Sequence, residues 1–170
     1  MKHNIFMSVI SPSEDVMQDA IDFKKKAEIS LGRSFRSRNS IPHLTLDLSE
    51  DFHNESKLYH FEDAVSHIKP FTVFIRDFGI FKTNGTIFLR PVFDENIRFI
   101  SEQFSGKRIT PHLTIVRNLK PYDRDRLWET FKIMTYARDF VCTCVTILRR
   151  VNNRWLKHAG FDLGSSLSAG

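Results

Sequence analysis

PHLTLDL at residues 42–48 and PHLTIVR at residues 111–117 begin with the same tetrapeptide, Pro-His-Leu-Thr. Both stretches alternate in the manner of a half-buried β-strand. Side chains two residues apart on a strand point to the same face. The pattern therefore pairs His43 with Thr45 and His112 with Thr114, and it predicts that the alternate residues Leu44, Leu46, Leu48, Leu113 and Ile115 face the core.

A single histidine-x-threonine pattern carries little information, because a lone strand histidine is more often a packed or surface residue than a catalyst. The second copy repeats both the tetrapeptide and its strand context, about half of the folded chain further on. This repetition favours a functional pair, with one imidazole and one hydroxyl from each half of the chain. We expect the two strands to face each other across a cleft.

The order of predicted elements is the same in both halves: strand, helix, basic loop, motif strand. Arg33, Arg36 and Arg38 precede the first motif, and Lys107-Arg108 precede the second. We therefore predict an α+β fold of two pseudo-twofold lobes, with mostly antiparallel sheets lining a central cleft and helices outside. Residues 1–163 are expected to form this one bilobal domain, followed by a flexible tail at 164–170.

Composition excludes several classes of protein. No apolar run is long enough for a membrane span, and the N-terminus lacks the pattern of a secretory signal, so a cytoplasmic protein is expected. The only two cysteines, Cys142 and Cys144, stand too close for an easy disulfide and without partners for zinc. The net charge of +5 suits a polyanionic substrate better than it suits the coating of nucleic acid. No nucleotide-binding glycine loop is present.

Paired H-x-T motifs on strands, one in each half of a basic chain of this size, resemble those of the two-histidine (2H) phosphoesterase superfamily. Within that superfamily the chain is most similar to the LigT-like, 2′-5′ RNA ligase type of protein. His112-Leu113-Thr114-Ile115-Val116-Arg117 also matches the H-x-T-x-x-R form of that group. Strand alternation alone turns Arg117 inward, so it must lie at the strand end or past a bulge to reach the cleft.

The resemblance implies a metal-independent phosphodiesterase without a cofactor, acting on 2′,3′-cyclic phosphate ends or 2′-5′ linkages of nucleotides or RNA. One imidazole would serve as acid and the other as base; the two motifs do not distinguish them, and the resemblance favours His43 as acid and His112 as base. We expect a monomer. The predicted catalytic residues are His43, Thr45, His112 and Thr114, and the predicted substrate-binding residues are Arg117, Arg38, Phe81, Phe88 and Arg90.

Three alternatives remain open at the level of sequence. The enzyme could degrade cyclic oligonucleotide signals with the same four residues, or it could also join RNA ends through a 2′-5′ bond. A non-catalytic RNA- or nucleotide-binding module is a third reading. Two titratable imidazoles argue against that reading, because binding alone does not require them.

Overall fold

The computed structural model describes residues 5–50, 52–105 and 110–168. The strands are β1 (Phe6–Ile10), β2 (Leu44–Ser49), β3 (Phe71–Phe81), β4 (Thr86–Pro91), β5 (His112–Val116), β6 (Ala137–Cys142), β7 (Cys144–Val151) and β8 (Arg154–Asp162). The helices are α1 (Glu14–Leu31), α2 (Glu55–Ser66), α3 (Glu95–Ser105) and α4 (Pro121–Phe131), and Ser165–Ser168 form a 3-10 turn. The flexibility of the tail 164–170 stays a prediction.

These strands form one curled sheet in the order β6-β3-β4-β5-β2-β1-β7-β8, and all its neighbouring strands are antiparallel. The α+β class and the pseudo-twofold arrangement are confirmed: β1-α1-β2 and β4-α3-β5 are equivalent units, and their motif strands meet at the centre of the sheet. The expectation that the motif strands face each other across a cleft is wrong. They are hydrogen-bonded neighbours, with Leu44 opposite Leu113 and Thr45 opposite His112.

The helices pack on one face of this sheet. Leu44, Leu46, Leu113 and Ile115 are fully buried in the same apolar core as residues from all four helices. The helices that precede the two motifs each contact the other half, since α1 contacts β5 and β6 while α3 contacts β2. We call the opposite face, which carries His43, Thr45, His112 and Thr114, the motif face.

Both motif strands contain a β-bulge directly after the motif threonine. On β2, Val9 pairs with Thr45 and Ser8 with Asp47, so Leu46 has no partner on β1. On β5, the equivalent residue Ile115 has no partner on β4. An extra residue reverses the alternation of the side chains that follow it. The pseudo-twofold relation between the halves therefore extends to their bulges.

The bulges decide where the side chain five residues after each motif histidine points. Leu48 was predicted to face the core but is 50% exposed, because the bulge at Leu46 turns it to the motif face. Arg117 occupies the equivalent position after the bulge at Ile115 and is exposed. The bulge expected for Arg117 is thus present, and the same device explains the error at Leu48.

Three further predictions from the sequence can be compared with the structure. Cys142 is buried, Cys144 is half-buried and both are free. Lys107 and Arg108, the predicted basic residues before the second motif, lie outside the described residues. Among the helices in the described ranges, none combines the length and the apolar character needed to cross a membrane.

The turn between β3 and β4 is held against the chain that follows Arg117. Gly85 has a φ of +62°, and its carbonyl accepts a hydrogen bond from the Leu119 amide at 3.1 Å. A Cβ on Gly85 would lie 2.2 Å from the Leu119 carbonyl oxygen, a distance that no packing tolerates. This close approach requires glycine and fixes the backbone just beyond Arg117.

We therefore expect Gly85→Ala to lower the free energy of unfolding by about 2–4 kcal/mol, combining left-handed strain with overlap on Leu119. Gly32→Ala is the matched control, because Gly32 has a similar φ of +67° but a methyl group on its Cα would meet nothing within 4 Å. It should cost only about 1–2 kcal/mol. Urea denaturation of both variants measures the difference, and equal losses would contradict the role assigned to the Leu119 contact.

Candidate active site

The two motifs bring their four polar side chains together on the motif face. Thr45 lies directly opposite His112 in the β2–β5 pair, and continuing that register by one residue places His43 beside Thr114. Directly paired residues on neighbouring antiparallel strands point to the same side. The two imidazoles are therefore diagonal neighbours, a relation in which strand residues lie about 7–8 Å apart.

Both imidazoles are oriented by the same backbone contact. His43 Nδ1 lies 2.9 Å from the Ile41 carbonyl oxygen, and His112 Nδ1 lies 2.9 Å from the Thr110 carbonyl oxygen. A carbonyl oxygen only accepts, so each Nδ1 must carry the hydrogen. Nε2 is then the nitrogen available to a ligand: it accepts a proton when the ring is neutral and donates one when the ring is charged.

Burial makes both rings harder to protonate. Burial is the main reason that the pKa of His43 is lowered to about 4. The Ile41 carbonyl raises this pKa, and the positive charges of Lys24, His112 and Arg117 add to the lowering. Burial also lowers the pKa of His112, while the Thr110 carbonyl raises it. Without a ligand, His43 is therefore neutral at neutral pH. A bound anion would reverse part of this shift, because it stabilises the imidazolium form.

The two threonines supply neutral hydrogen-bond donors beside the rings. Thr45 is 7% exposed, and its hydroxyl has a weak contact with the Met7 sulfur at 3.8 Å. Thr114 is half-buried on the neighbouring strand. A thioether is a poor acceptor, so the Thr45 hydroxyl loses little by turning to an oxygen of a ligand.

Phe81 and Phe88, two of the predicted substrate-binding residues, form an aromatic wall against His112. Their ring centroids are 4.3 Å apart, and they lie 5.1 Å and 5.6 Å from the imidazole centroid. Gly79 makes room for this wall, since a Cβ there would lie 2.5 Å from the Phe88 ring. The wall restricts the motion of His112 and limits its access to water.

Arg117 provides positive charge at the His43 end of the site. β5 runs antiparallel to β2, so the residues after Thr114 extend past His43. The charge of Arg117 acts on His43, in agreement with this placement. Partial removal of the guanidinium from water lowers the pKa of Arg117 itself, and the positive charges of Arg36 and Arg150 lower it as well. This end of the site is therefore suited to an anion.

Two other predicted substrate contacts are placed differently. Arg38 Nε is bonded to the Glu28 carboxylate at 2.8 Å, which ties the basic loop to α1. Another arginine of that loop, Arg36, lies close enough to Arg117 for its charge to lower the pKa of that guanidinium. Arg90 is exposed and lines a surface cavity together with Arg98 and Pro111. It follows Phe88 by two residues on β4.

Lys24 is a buried residue near the site that the sequence patterns do not single out. It is 1% exposed, and its charge acts on His43. It lies on the apolar stripe of α1 between Ala20 and Ala27, at a position that the helical period assigns to the core. A lysine at such a position is the only sequence signal that could have identified it.

Within the described ranges, no three His, Cys, Asp or Glu side chains come close enough together to hold a metal ion. The groups assembled on the motif face are instead two imidazoles, two hydroxyls and a guanidinium. Two groups able to exchange protons, beside donors for an anion, are the elements of general acid–base chemistry at a phosphate.

Comparisons with known proteins agree with this geometry. The model of the 2′-5′ RNA ligase superfamily matches residues 24–154. A crystal structure described as a phosphoesterase has a TM-score of 0.68 and 13% identity, covering 94% of this chain and 98% of the other. Escherichia coli LigT complexed with NADP+ has a TM-score of 0.66 and 14% identity, covering 96% and 99%.

TT0787 of Thermus thermophilus has a TM-score of 0.65 and 16% identity, covering 94% of this chain and 98% of that protein. No curated protein matches the chain. At these identities the solved structures establish a shared fold, while the family model covers well over half of the sequence. The chain belongs to the 2′-5′ RNA ligase superfamily, the LigT-like two-histidine phosphoesterases.

Proposed function

We propose that this protein is a phosphodiesterase that opens 2′,3′-cyclic phosphate ends of nucleotides or RNA, leaving a 2′-phosphate. The observation that carries the proposal is the matched pair of imidazoles, each with Nδ1 bonded to the carbonyl two residues before it. That contact leaves both Nε2 atoms available to a ligand. A site that only binds a phosphate has no need of two such rings.

The reaction requires two proton transfers. One imidazole, neutral at the start, takes a proton from water as the water oxygen attacks phosphorus. The bond from phosphorus to the ribose 3′ oxygen breaks, and the other imidazole, charged at the start, protonates that oxygen. Following the family resemblance, we assign the acid to His43 and the base to His112. Strand positions that are diagonal neighbours lie about 7–8 Å apart, which leaves room for a phosphate between their side chains.

Charge that gathers on the non-bridging oxygens needs donors held in place beforehand. The hydroxyls of Thr45 and Thr114, each beside the histidine of the other motif, would supply two. Arg117 would add a charged contact at the His43 end. Phe81 and Phe88 would exclude water from the His112 side and offer an apolar surface to the nucleoside.

Crystal structures of E. coli LigT complexed with 3′-AMP and with ATP support a nucleotide as the substrate class. A nucleotide carries the phosphate that the basic end of the site would bind. The same four motif residues would also serve a 2′-5′ linkage or a cyclic oligonucleotide. A comparison of these substrates is therefore the deciding test.

A substrate panel tests the proposal. Cyclic 2′,3′-AMP, a 2′-5′ linked diadenylate and a cyclic dinucleotide would be incubated with the enzyme separately, and the products separated by chromatography. We expect the 2′,3′-cyclic nucleotide to give the highest kcat/KM and only the nucleoside 2′-phosphate. Preferred cleavage of the cyclic dinucleotide, or a 3′-phosphate product, would contradict the assignment.

Turnover should survive chelation, because the two imidazoles supply both proton transfers and Arg117 supplies the charge. We expect kcat on 2′,3′-cyclic AMP to change by less than about twofold after dialysis against excess EDTA. A loss of most activity that a divalent cation restores would show that a metal takes part in the reaction.

A further inference from the structure

Lys24 is buried, and among the described residues no carboxylate forms an ion pair with its ammonium group. Its Nζ donates to three oxygens: the Ser37 carbonyl at 3.2 Å, the Ser40 carbonyl at 2.7 Å and the Ser40 hydroxyl at 2.8 Å. Removing a lysine charge from water is costly unless the group is paired or fully hydrogen-bonded. Here three neutral oxygens of one short loop accept all the bonds that the ammonium can donate.

These contacts continue directly to the first histidine. Ser40 is held by two of the three bonds, and Ile41, the next residue, provides the carbonyl that accepts the hydrogen bond from His43 Nδ1. A helix residue thereby fixes the peptide group directly before the carbonyl that orients a motif imidazole. The side chain of Ile41 is 77% exposed and Pro42 is buried, so the orienting carbonyl lies between the loop that Lys24 holds and a packed proline.

Lys24 also contributes charge. Burial, together with the charges of Arg38 and Arg117, lowers the pKa of Lys24 to about 8. Lys24 is therefore mostly protonated at pH 7. Glu28 neutralises Arg38 through its ion pair. His43 is thus exposed to the positive charges of Lys24, Arg117 and, when it is protonated, His112.

We infer that Lys24 is a positioning residue for His43: its ammonium fixes the Ser40–Ile41 peptide, directly before the Ile41 carbonyl that orients the imidazole, and its charge favours the neutral ring until a phosphate anion binds. The inference rests on the proposed function for its consequence in turnover. Its effect on His43 itself does not depend on any substrate. In the bound state the substrate anion offsets the positive charge and restores the imidazolium.

The test replaces Lys24 by methionine, which keeps the length of the side chain and removes its charge and its hydrogen bonds. In the ligand-free protein, the NMR titration midpoint of His43 should rise, and that of His112 should stay within error of wild type. On 2′,3′-cyclic AMP, kcat should fall by about 10- to 100-fold with little change in KM, as expected for a displaced catalytic group.

Lys25→Met is the matched control, since Lys25 is the next residue, is half-exposed and pairs with Asp22 at the surface. It should leave both midpoints and kcat unchanged. A folded Lys24→Met protein with the wild-type His43 midpoint and wild-type kcat would overturn the inference and leave Lys24 a purely structural residue.

If Lys24→Met does not fold, Ser40→Ala decides. This variant removes one of the three acceptors and keeps the charge of Lys24. We expect kcat to fall by severalfold while the titration midpoint of His43 stays unchanged. An unchanged kcat overturns the inference. The NMR arm separates this inference from the proposed function. A raised midpoint in a protein without phosphodiesterase activity would refute the proposed function alone.

Discussion

Replacing either motif histidine by alanine is expected to lower kcat on a 2′,3′-cyclic nucleotide by about 10²–10⁴, the usual contribution of a general acid or base. His43 and His112 lie on the motif face rather than in the apolar core, so the variants should fold with near-normal stability. Each loss should appear mainly in kcat, because the threonine hydroxyls and Arg117 remain to bind the phosphate.

Two comparisons make this result specific. His60→Ala should leave kcat unchanged, because His60 is an exposed residue of α2 outside the motifs. Thr45→Ala and Thr114→Ala should lower kcat less than the histidine variants, since each removes one neutral donor while the others remain. A histidine variant that is folded and keeps near wild-type turnover would exclude that ring from proton transfer.

The second large effect is the dependence of the rate on pH. One ring must be neutral and the other charged in the same molecule, so the rate should rise as the base loses its proton and fall as the acid loses its own. Burial lowers the pKa of both rings in the free enzyme. The bell-shaped pH profile of kcat/KM, which reports the free enzyme, should therefore have its maximum below about pH 6.5, the ordinary pKa of histidine.

The bell of kcat should lie at higher pH than the bell of kcat/KM, because a bound phosphodiester anion raises the pKa of the nearest imidazole. The two apparent values belong to the coupled pair, and the single histidine variants are needed to divide them. Both profiles would be measured with 2′,3′-cyclic AMP from pH 4 to about pH 10. A rate that climbs steadily to the alkaline end would indicate hydroxide or another base.

Much of the site follows from local sequence rules, because it depends on strand periodicity. A repeated Pro-His-Leu-Thr in a strand context places His43 with Thr45 and His112 with Thr114 on a common side of each strand. The alternation also identifies Leu44 and Leu113 as core residues. These statements concern neighbours in the chain, which a period of two determines.

Long-range pairing and bulges lie beyond such rules. Nothing in the motif strands shows that they are hydrogen-bonded neighbours rather than opposite walls of a cleft. Leu46 and Ile115 are ordinary strand residues, and neither glycine nor proline marks their bulges. The position of Leu48 was therefore predicted wrongly, and the bulge before Arg117 could be anticipated only from the family form of the motif.

The pairing of charged residues near the site also could not be predicted from the sequence. Arg38 and Arg36 are equivalent in the sequence, and only the fold shows that Arg38 pairs with Glu28. Lys24 lies in another element, and its contact with Ser40 joins residues 16 positions apart. Sequence patterns identify the groups that we propose perform the chemistry, while the groups that orient them depend on tertiary contacts.

The claim that the two histidines together open a cyclic phosphodiester is tested most directly by phosphorus NMR. 2′,3′-Cyclic AMP would be incubated in ¹⁸O-labelled water with the wild-type enzyme and with the His43→Ala/His112→Ala double variant. We predict that the wild type converts the cyclic signal to a single 2′-phosphate signal carrying one labelled oxygen, and that the double variant gives none above buffer. Equal conversion by a folded double variant would contradict the account.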